Sequence, residues 1–413
     1  QQGHRRNESK GFHIPSVRKL QESVDHMREL GNSYVKSLKE SATLKMNDKA
    51  KKMICDGIDV VNLAGGEPNF DTPKQIKDAT IQALNEGKTH YVASGMIPEL
   101  RQAITEKLQR ENKITIDPSQ LILTPGGKYS LFLCMQALLN PEDEVIIVAP
   151  AWVSYESMIT LSGATPVFLE LSEKDNFTLT KEKLLSVTSD HTKLVIVCSP
   201  SNPTGHDLTK EELDALEAYI LETKIHVLVD EMYEHIIYDH KHTSLAARKN
   251  IQDYVISVFG FSKGYAMTGW RMGYITASKE NIGYMNKVYS HSITSVNQFI
   301  QYGGVVALNS YDDIERMRQA YQRRRDFFIS GLNAIDGVEA SNPDGAFYAW
   351  VKFDGFKDSD AIADFLLEKA HVASVSGKAF SPSDTNHVRF SFAASDEELE
   401  KAVSRIKQAM QNR

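Results

Sequence analysis

Lys263 and Arg271 stand in the stretch Gly260-Phe-Ser-Lys-Gly-Tyr-Ala-Met-Thr-Gly-Trp-Arg271, directly after Tyr254-Val-Ile-Ser-Val-Phe259, a β-branched and aromatic run with the composition of a buried strand. The amine therefore leaves a strand end with a hydroxyl, Ser262, beside it and a fixed cation one loop further on. An amine so placed can form a Schiff base with a carbonyl cofactor, while the guanidinium and hydroxyls anchor a phosphate at the cofactor's other end. This pairing predicts a pyridoxal phosphate (PLP) site.

Such a cofactor works as an electron sink only while its pyridine nitrogen stays protonated, which a carboxylate at a buried strand end secures. Asp230, closing Ile225-His-Val-Leu-Val-Asp230, is the candidate. Tyr233, in the turn that follows, could reach the ring's phenolic oxygen. Asn202, in the rigid turn Pro200-Ser-Asn-Pro-Thr-Gly205, projects an amide able to donate to the same oxygen. In Thr124-Pro-Gly-Gly-Lys-Tyr-Ser130, Gly126 and Gly127 free backbone amides to meet an anion at a helix N-terminus beginning near Tyr129, and Lys128 adds a cation. Trp152, past the strand Glu144-Val-Ile-Ile-Val-Ala149, could stack on the ring. Each of these turns is ordinary alone; their joint presence at strand ends carries the expectation.

The elements that must position them alternate. Leu121-Ile-Leu-Thr124, Glu144 to Ala149, Lys193-Leu-Val-Ile-Val-Cys198 and Ile225 to Asp230 are apolar on both faces and separated by amphipathic segments. That pattern predicts an α/β fold, a mostly parallel seven-stranded-type sheet between helices, with ligands at the carboxyl ends of the strands. Beyond residue 330 the pattern changes to a long charged helix over 314–332, an antiparallel piece around Gly345-Ala-Phe-Tyr-Ala-Trp-Val351, a helix over 358–369, the strand His387-Val-Arg-Phe-Ser-Phe392 and a last helix from Asp396. This predicts a small α+β domain. We expect an N-terminal arm over 1–40 with an amphipathic helix after Ser16, a small domain from 41–65 and 331–413, and a large cofactor-binding domain from 66–330. Ser41 to Cys55 reads as a helix and Ile58 to Leu63 as a short strand.

At 413 residues the chain is too long for one simple core. Its net charge of −7 argues against nucleic acid as the main partner. No apolar run is long enough to span a bilayer, and the opening residues lack the apolar centre of a signal peptide, so a cytoplasmic setting is expected. The three cysteines, Cys55, Cys134 and Cys198, lack metal-ligand spacing and read as reduced packing residues, with no metal expected.

The motifs Gly66-Glu-Pro, Gly87-Lys-Thr-His-Tyr91, Ile97-Pro-Glu-Leu-Arg101, Gly126-Gly-Lys128, Ser201-Asn-Pro-Thr-Gly205, Val229-Asp-Glu-Met-Tyr233, Ser262 to Arg271 and His387-Val-Arg389 follow one another as in PLP enzymes of fold type I. From about Ser41 to the last helix the chain resembles the aspartate/prephenate aminotransferase subgroup of class I. The resemblance implies that Lys263 carries the cofactor and shuttles the proton, Asp230 pairs with the ring nitrogen, and Tyr233 and Asn202 contact the ring oxygen. Trp152 would stack on the ring, and Arg271 with the backbone at Gly126, Gly127 and Lys128 would hold the phosphate. Tyr91 would reach the phosphate of a neighbouring subunit, implying a homodimer with shared active sites. Arg389, helped by the Gly66 backbone, would bind the substrate α-carboxylate, and Lys128 with Thr43 nearby would meet a side-chain carboxylate. The implied activity is transfer of an amino group from an amino acid, dicarboxylic by this reading, to a 2-oxo acid. A PLP-dependent lyase, cyclase or oxidase on the same scaffold is the alternative. The sequence departs from the subgroup at Cys198, Ala151, Tyr129 and Ser376-Gly-Lys378.

Overall fold

A computed structural model describes residues 31–38, 40–175 and 177–413. The amphipathic helix expected after Ser16 lies outside the described residues. The chain divides into two compact units, Gln1–Leu38 and Lys39–Arg413. In the first, a short helix, Ser33–Ser37, is capped by Asn32, whose side chain accepts from the Tyr34 amide at 2.8 Å.

The second unit begins with a helix, Ala42–Cys55, whose first turn is closed by the Ser41 side chain. The strand expected over 58–63 shortens to β1, Val61–Asn62, paired in parallel with Val372–Ala373. Asp59 is drawn out of the ladder: its carbonyl accepts from Arg405 at 2.6 Å, and its carboxylate pairs with Arg405 and Lys401.

The central sheet has seven strands: β2 (Leu121–Thr124), β3 (Glu144–Ala149), β4 (Thr165–Glu170), β5 (Thr192–Cys198), β6 (His226–Asp230), β7 (Val255–Gly260) and β8 (Gly273–Thr276), in the order β2-β8-β7-β6-β5-β3-β4. The five strands β7, β6, β5, β3 and β4 run parallel, and β8 alone runs against both neighbours. The reason the runs read as continuously apolar is visible in the packing. Val195, Val197, Val227 and Val229 bury into one layer, and Leu194, Ile196 and Leu228 into the layer on the opposite face. Two strands carried no clear signal. Pro166 interrupts β4, which the edge position tolerates because an edge strand can lack an amide donor. The other, β8, is only four residues long and follows Arg271 almost at once.

Further along, β9 (Val338–Ala340), β10 (Tyr348–Phe353), β11 (Val372–Ala373), β12 (Val375–Ser376) and β13 (His387–Ser391) complete the strands. An antiparallel sheet forms in the order β12-β13-β10-β9, packed with the long helix Tyr311–Asn333 and the last helix Asp396–Gln411. The last helix opens with a reciprocal cap between Ser395 and Glu398. This is the α/β architecture expected, with a mainly parallel central sheet. Among the described residues no helix is long and apolar enough to cross a membrane.

Candidate active site

Because β2, β3, β5, β6 and β7 point the same way, the turns leaving their carboxyl ends meet along one edge of the sheet. There they wall a cavity of about 490 Å³. Lys263, Ser262, Asp230, Tyr233, Asn202, Gly127, Lys128, Trp152 and Arg271 all line it. Gly66 and Thr43 enter from the stretch before β2, and Arg389 enters from β13. Gly126 lies just behind the wall, against Arg271.

At one end of the cavity Gly126 holds φ +86°, and a Cβ there would stand 2.7 Å from Nη2 of Arg271. Only glycine combines that backbone turn with so close a guanidinium. The helix Gly127–Leu138 begins at this point, so its first amides face the same space as Arg271. Arg271 donates to the Thr268 carbonyl at 2.9 Å and forms no ion pair among the described residues. Desolvation and then the Arg271 charge lower the pKa of Lys128. The Arg271 guanidinium beside the amides at Gly127 and Lys128 makes a cradle for an anion, and the Lys128 amine adds a second cation that faces the same cavity.

On the cavity floor Asp230 is buried. Burial raises its carboxyl to about 6, even though the Tyr155 hydroxyl donates at 2.7 Å and the Met232 amide at 3.2 Å. Lys263 Nζ donates to the Gly66 carbonyl, and desolvation brings its pKa down to about 8. The hydroxyls of Tyr233 and Tyr348 meet at 2.8 Å, and burial holds Tyr233 well above the usual phenol range.

Arg389 is 2 % exposed. Its guanidinium donates to Asn202 Oδ1 at 2.9 Å and to the Ala64 carbonyl at 2.7 Å, with the Tyr348 and Phe380 rings at 4.4 and 4.9 Å. Its Nε has no partner, and no carboxylate pairs with it among the described residues. A buried guanidinium left without an anion is costly unless a ligand supplies one.

The family profile for aminotransferase class I and II matches residues 58–406. The chain belongs to this aminotransferase family. It is 39% identical to the aspartate aminotransferase of Bacillus subtilis over 90% of this chain and 97% of that one. It is 40% identical to the aspartate/prephenate aminotransferase of Cereibacter sphaeroides over 89% of this chain and 96% of that one. The solved aspartate aminotransferase of Thermus thermophilus with maleate superposes with a TM-score of 0.88 at 40% identity, covering 93% of this chain and 100% of that one. The chain is thus a PLP-dependent aminotransferase of fold type I, transferring an amino group between an amino acid and a 2-oxo acid.

The residues of this aminotransferase fit PLP. The Gly126–Arg271 cradle suits a phosphate, the half-buried Lys263 amine suits an aldehyde, and Asp230 suits a protonated ring nitrogen. Tyr91 stands apart from the cavity: it is 86% exposed and lines a separate surface hollow with Met96, Gln298 and Tyr302.

Three residues of the aminotransferase site were absent from the sequence reading. Tyr155 donates to Asp230, Tyr348 bonds Tyr233, and Glu67 accepts from the Thr268 hydroxyl while its charge raises the pKa of Lys263. Tyr155 belongs to the same loop and helix start as Trp152, and Glu67 to the Gly66-Glu-Pro motif, so both stood next to residues already singled out. Tyr348 sits in an aromatic strand and looked like core.

Proposed function

We propose that this aminotransferase takes a dicarboxylic amino acid, aspartate or glutamate, as amino donor. The observation that carries the reading is that two cations lining one cavity, Arg389 and Lys128, have no ion pair among the described residues. Arg389 lies buried beside Asn202, and Lys128 stands with its Nζ 4.9 Å from the Trp152 ring centre in the cavity that Thr43 also lines. A substrate with carboxylates at both ends satisfies both. The relatives' names, and the maleate in the Thermus thermophilus structure, support the same choice.

When bound, PLP supplies an aldehyde and an electron-withdrawing ring. In our reading Lys263 holds the aldehyde end and then moves the proton at the substrate α-carbon. Asp230 keeps the proton on the ring nitrogen, and Tyr155 fixes the carboxylate that does so. Tyr233 and Asn202 donate to the ring oxygen, with Tyr348 orienting Tyr233. Trp152 covers the ring face, while Arg271, Ser262 and the amides at Gly127 and Lys128 hold the phosphate; the Gly126 amide, expected to join them, is instead donated to the Thr124 carbonyl at 2.7 Å, so Gly126 serves the cradle through its turn. Arg389 fixes the α-carboxylate, with the Gly66 backbone alongside.

Offered aspartate alone, the holoenzyme should release about one equivalent of 2-oxo acid per site and stop, resuming when a second 2-oxo acid is added. Sustained turnover without an acceptor would instead mark elimination, cyclisation or oxidation. Lys128→Ala should lower kcat/KM for aspartate by about 10- to 100-fold, the value of one charge-assisted hydrogen bond, and leave alanine within about threefold. Equal losses for both donors would refute the side-chain assignment.

The same reading includes a homodimer in which the exposed Tyr91 ring of one subunit reaches the other's phosphate cradle. A solution mass of one chain would remove it. It also includes a small domain formed by 41–65 with 331–413, supported by the pairing of β1 with β11, and a cytoplasmic setting, which rests on the sequence expectation alone. Exchange protection of 41–65 that does not follow 331–413, or recovery of the enzyme in a membrane fraction, would count against these two readings.

A further inference from the structure

Behind the cavity floor lies a buried chain of charged side chains that the chemistry above does not use. His242 touches a carboxylate with each ring nitrogen: Nδ1 is 2.8 Å from Asp207 Oδ1, and Nε2 is 2.8 Å from Glu231 Oε2. Asp207 is 4 % exposed and Glu231 fully buried. Both nitrogens must carry protons to serve two carboxylates, so the ring is an imidazolium. Burial alone would lower its pKa, but the two acids outweigh burial and raise it to about 10.

What the two acids hold gives this cation its interest. Glu231 is the residue after Asp230, and its carboxylate also accepts from the Ser244 hydroxyl. Asp207 Oδ1 accepts from the Ser199 hydroxyl at 2.6 Å, and Ser199 opens the turn that carries Asn202. Ser199 in turn donates its amide to the Asp230 carbonyl at 3.0 Å, and its hydroxyl accepts from the Leu208 amide at 3.0 Å. His240 approaches the other Asp207 oxygen at 3.0 Å. The turn after β5 and the turn after β6 are therefore joined side chain to side chain through one imidazolium.

We propose that His242 is a positioning residue, clamping the Asn202 turn to the Asp230–Tyr233 turn so that the groups facing the cofactor ring and the α-carboxylate keep their spacing. The inference rests on the roles given above to Asn202, Asp230 and Tyr233. His242 itself touches neither cavity nor ligand. Asn202 is the lever on the substrate side, because it accepts from Arg389. Asp230 and Tyr233 are the lever on the cofactor side.

The test uses the holoenzyme. His242→Gln keeps the size of the ring but cannot donate to two carboxylates from opposite edges. It should move the pH midpoint of the bound cofactor's visible absorbance by about one unit and raise KM for the amino donor about tenfold, the scale of one or two lost hydrogen bonds. The double variant His242→Gln/Glu231→Gln restores a neutral amide pair and should recover part of both shifts, which a loss of core packing would not. A folded His242→Gln holoenzyme with wild-type midpoint and KM overturns the clamp. Should His242→Gln fail to fold, Ser199→Ala removes the Ser199–Asp207 link together with the acceptor of the Leu208 amide and leaves His242 and both acids in place. It should raise KM about threefold, and an unchanged KM again overturns the proposal. Asn202→Ala and Asp230→Asn are measured alongside. If these leave KM and midpoint unmoved, the failure lies in the roles assigned to those residues and not in the clamp.

Discussion

Lys263→Ala should abolish turnover, with a loss of at least about five orders of magnitude, since under the proposed roles the variant would lack both the amine that captures the aldehyde and the base at the α-carbon. The cofactor phosphate still has its cradle at Gly126 and Arg271, so the variant should bind PLP without the pH-dependent visible band of a lysine adduct. The same amine leaves a mark on the apoprotein. Its pKa falls from 10.5 to about 8, chiefly because burial disfavours the charged form. Between those values the unfolded chain holds a proton that the folded chain lacks, so this group makes stability rise with pH across the window. Denaturant midpoints of apo wild type and Lys263→Ala, compared at pH 7.5 and pH 10, should diverge by that contribution, with the wild type relatively weaker at the lower pH. Residual turnover near wild type, or parallel pH curves, would remove Lys263 from the role given to it.

How far the sequence discloses this arrangement depends on whether a signal is local. The strands β3, β5, β6 and β7 bury both faces, and their apolar runs say so without knowledge of the partners. The turns after β2, β5, β6 and β7 are legible because Gly126, Pro200 and Gly205 mark two of them and because Asp230, Asn202 and Lys263 are polar groups placed where an apolar run stops. In contrast, β4 at the sheet edge carries Pro166, and β8 is too short for a periodicity. Tyr155 and Tyr348 are buried aromatics whose hydroxyls matter only through partners distant in the chain, so composition assigns them to the core. The clamp is less legible still. Ser199 and Asp207 lie in the connection after β5 and His242 in the one after β6, and only the folded sheet shows that the imidazole stands between two acids. Among the expected residues Tyr91 stands apart, exposed and lining a hollow separate from the cavity.

Asp230→Asn should cost about three orders of magnitude in kcat while leaving the protein at least as stable. The carboxylate is buried at the end of β6 with the Tyr155 hydroxyl on one oxygen and the Met232 amide on the other, so its geometry is fixed before any ligand arrives. Among the described residues it forms no ion pair, and burial outweighs the Lys263 charge and raises its pKa from 3.8 to about 6. Between those values the folded chain holds a proton that the unfolded chain lacks, so stability falls as pH rises through the window. Above pH 6 the apoprotein carries an uncompensated buried charge, which a neutral amide removes. In the role proposed for Asp230, a protonated ring nitrogen would be the partner that relieves this charge in the wild type. Breaking such a buried pair is worth about 3–5 kcal/mol, or roughly two to four orders of magnitude in rate when the ring must stay protonated to accept electrons. Cofactor affinity should fall far less, because the phosphate cradle is untouched. The expected pattern is therefore a loss of kcat with unfolding midpoints above pH 6 equal to or higher than those of the wild-type apoprotein. A variant that retains turnover, or one whose lost activity simply tracks lost stability, would show that Asp230 does not hold the ring proton.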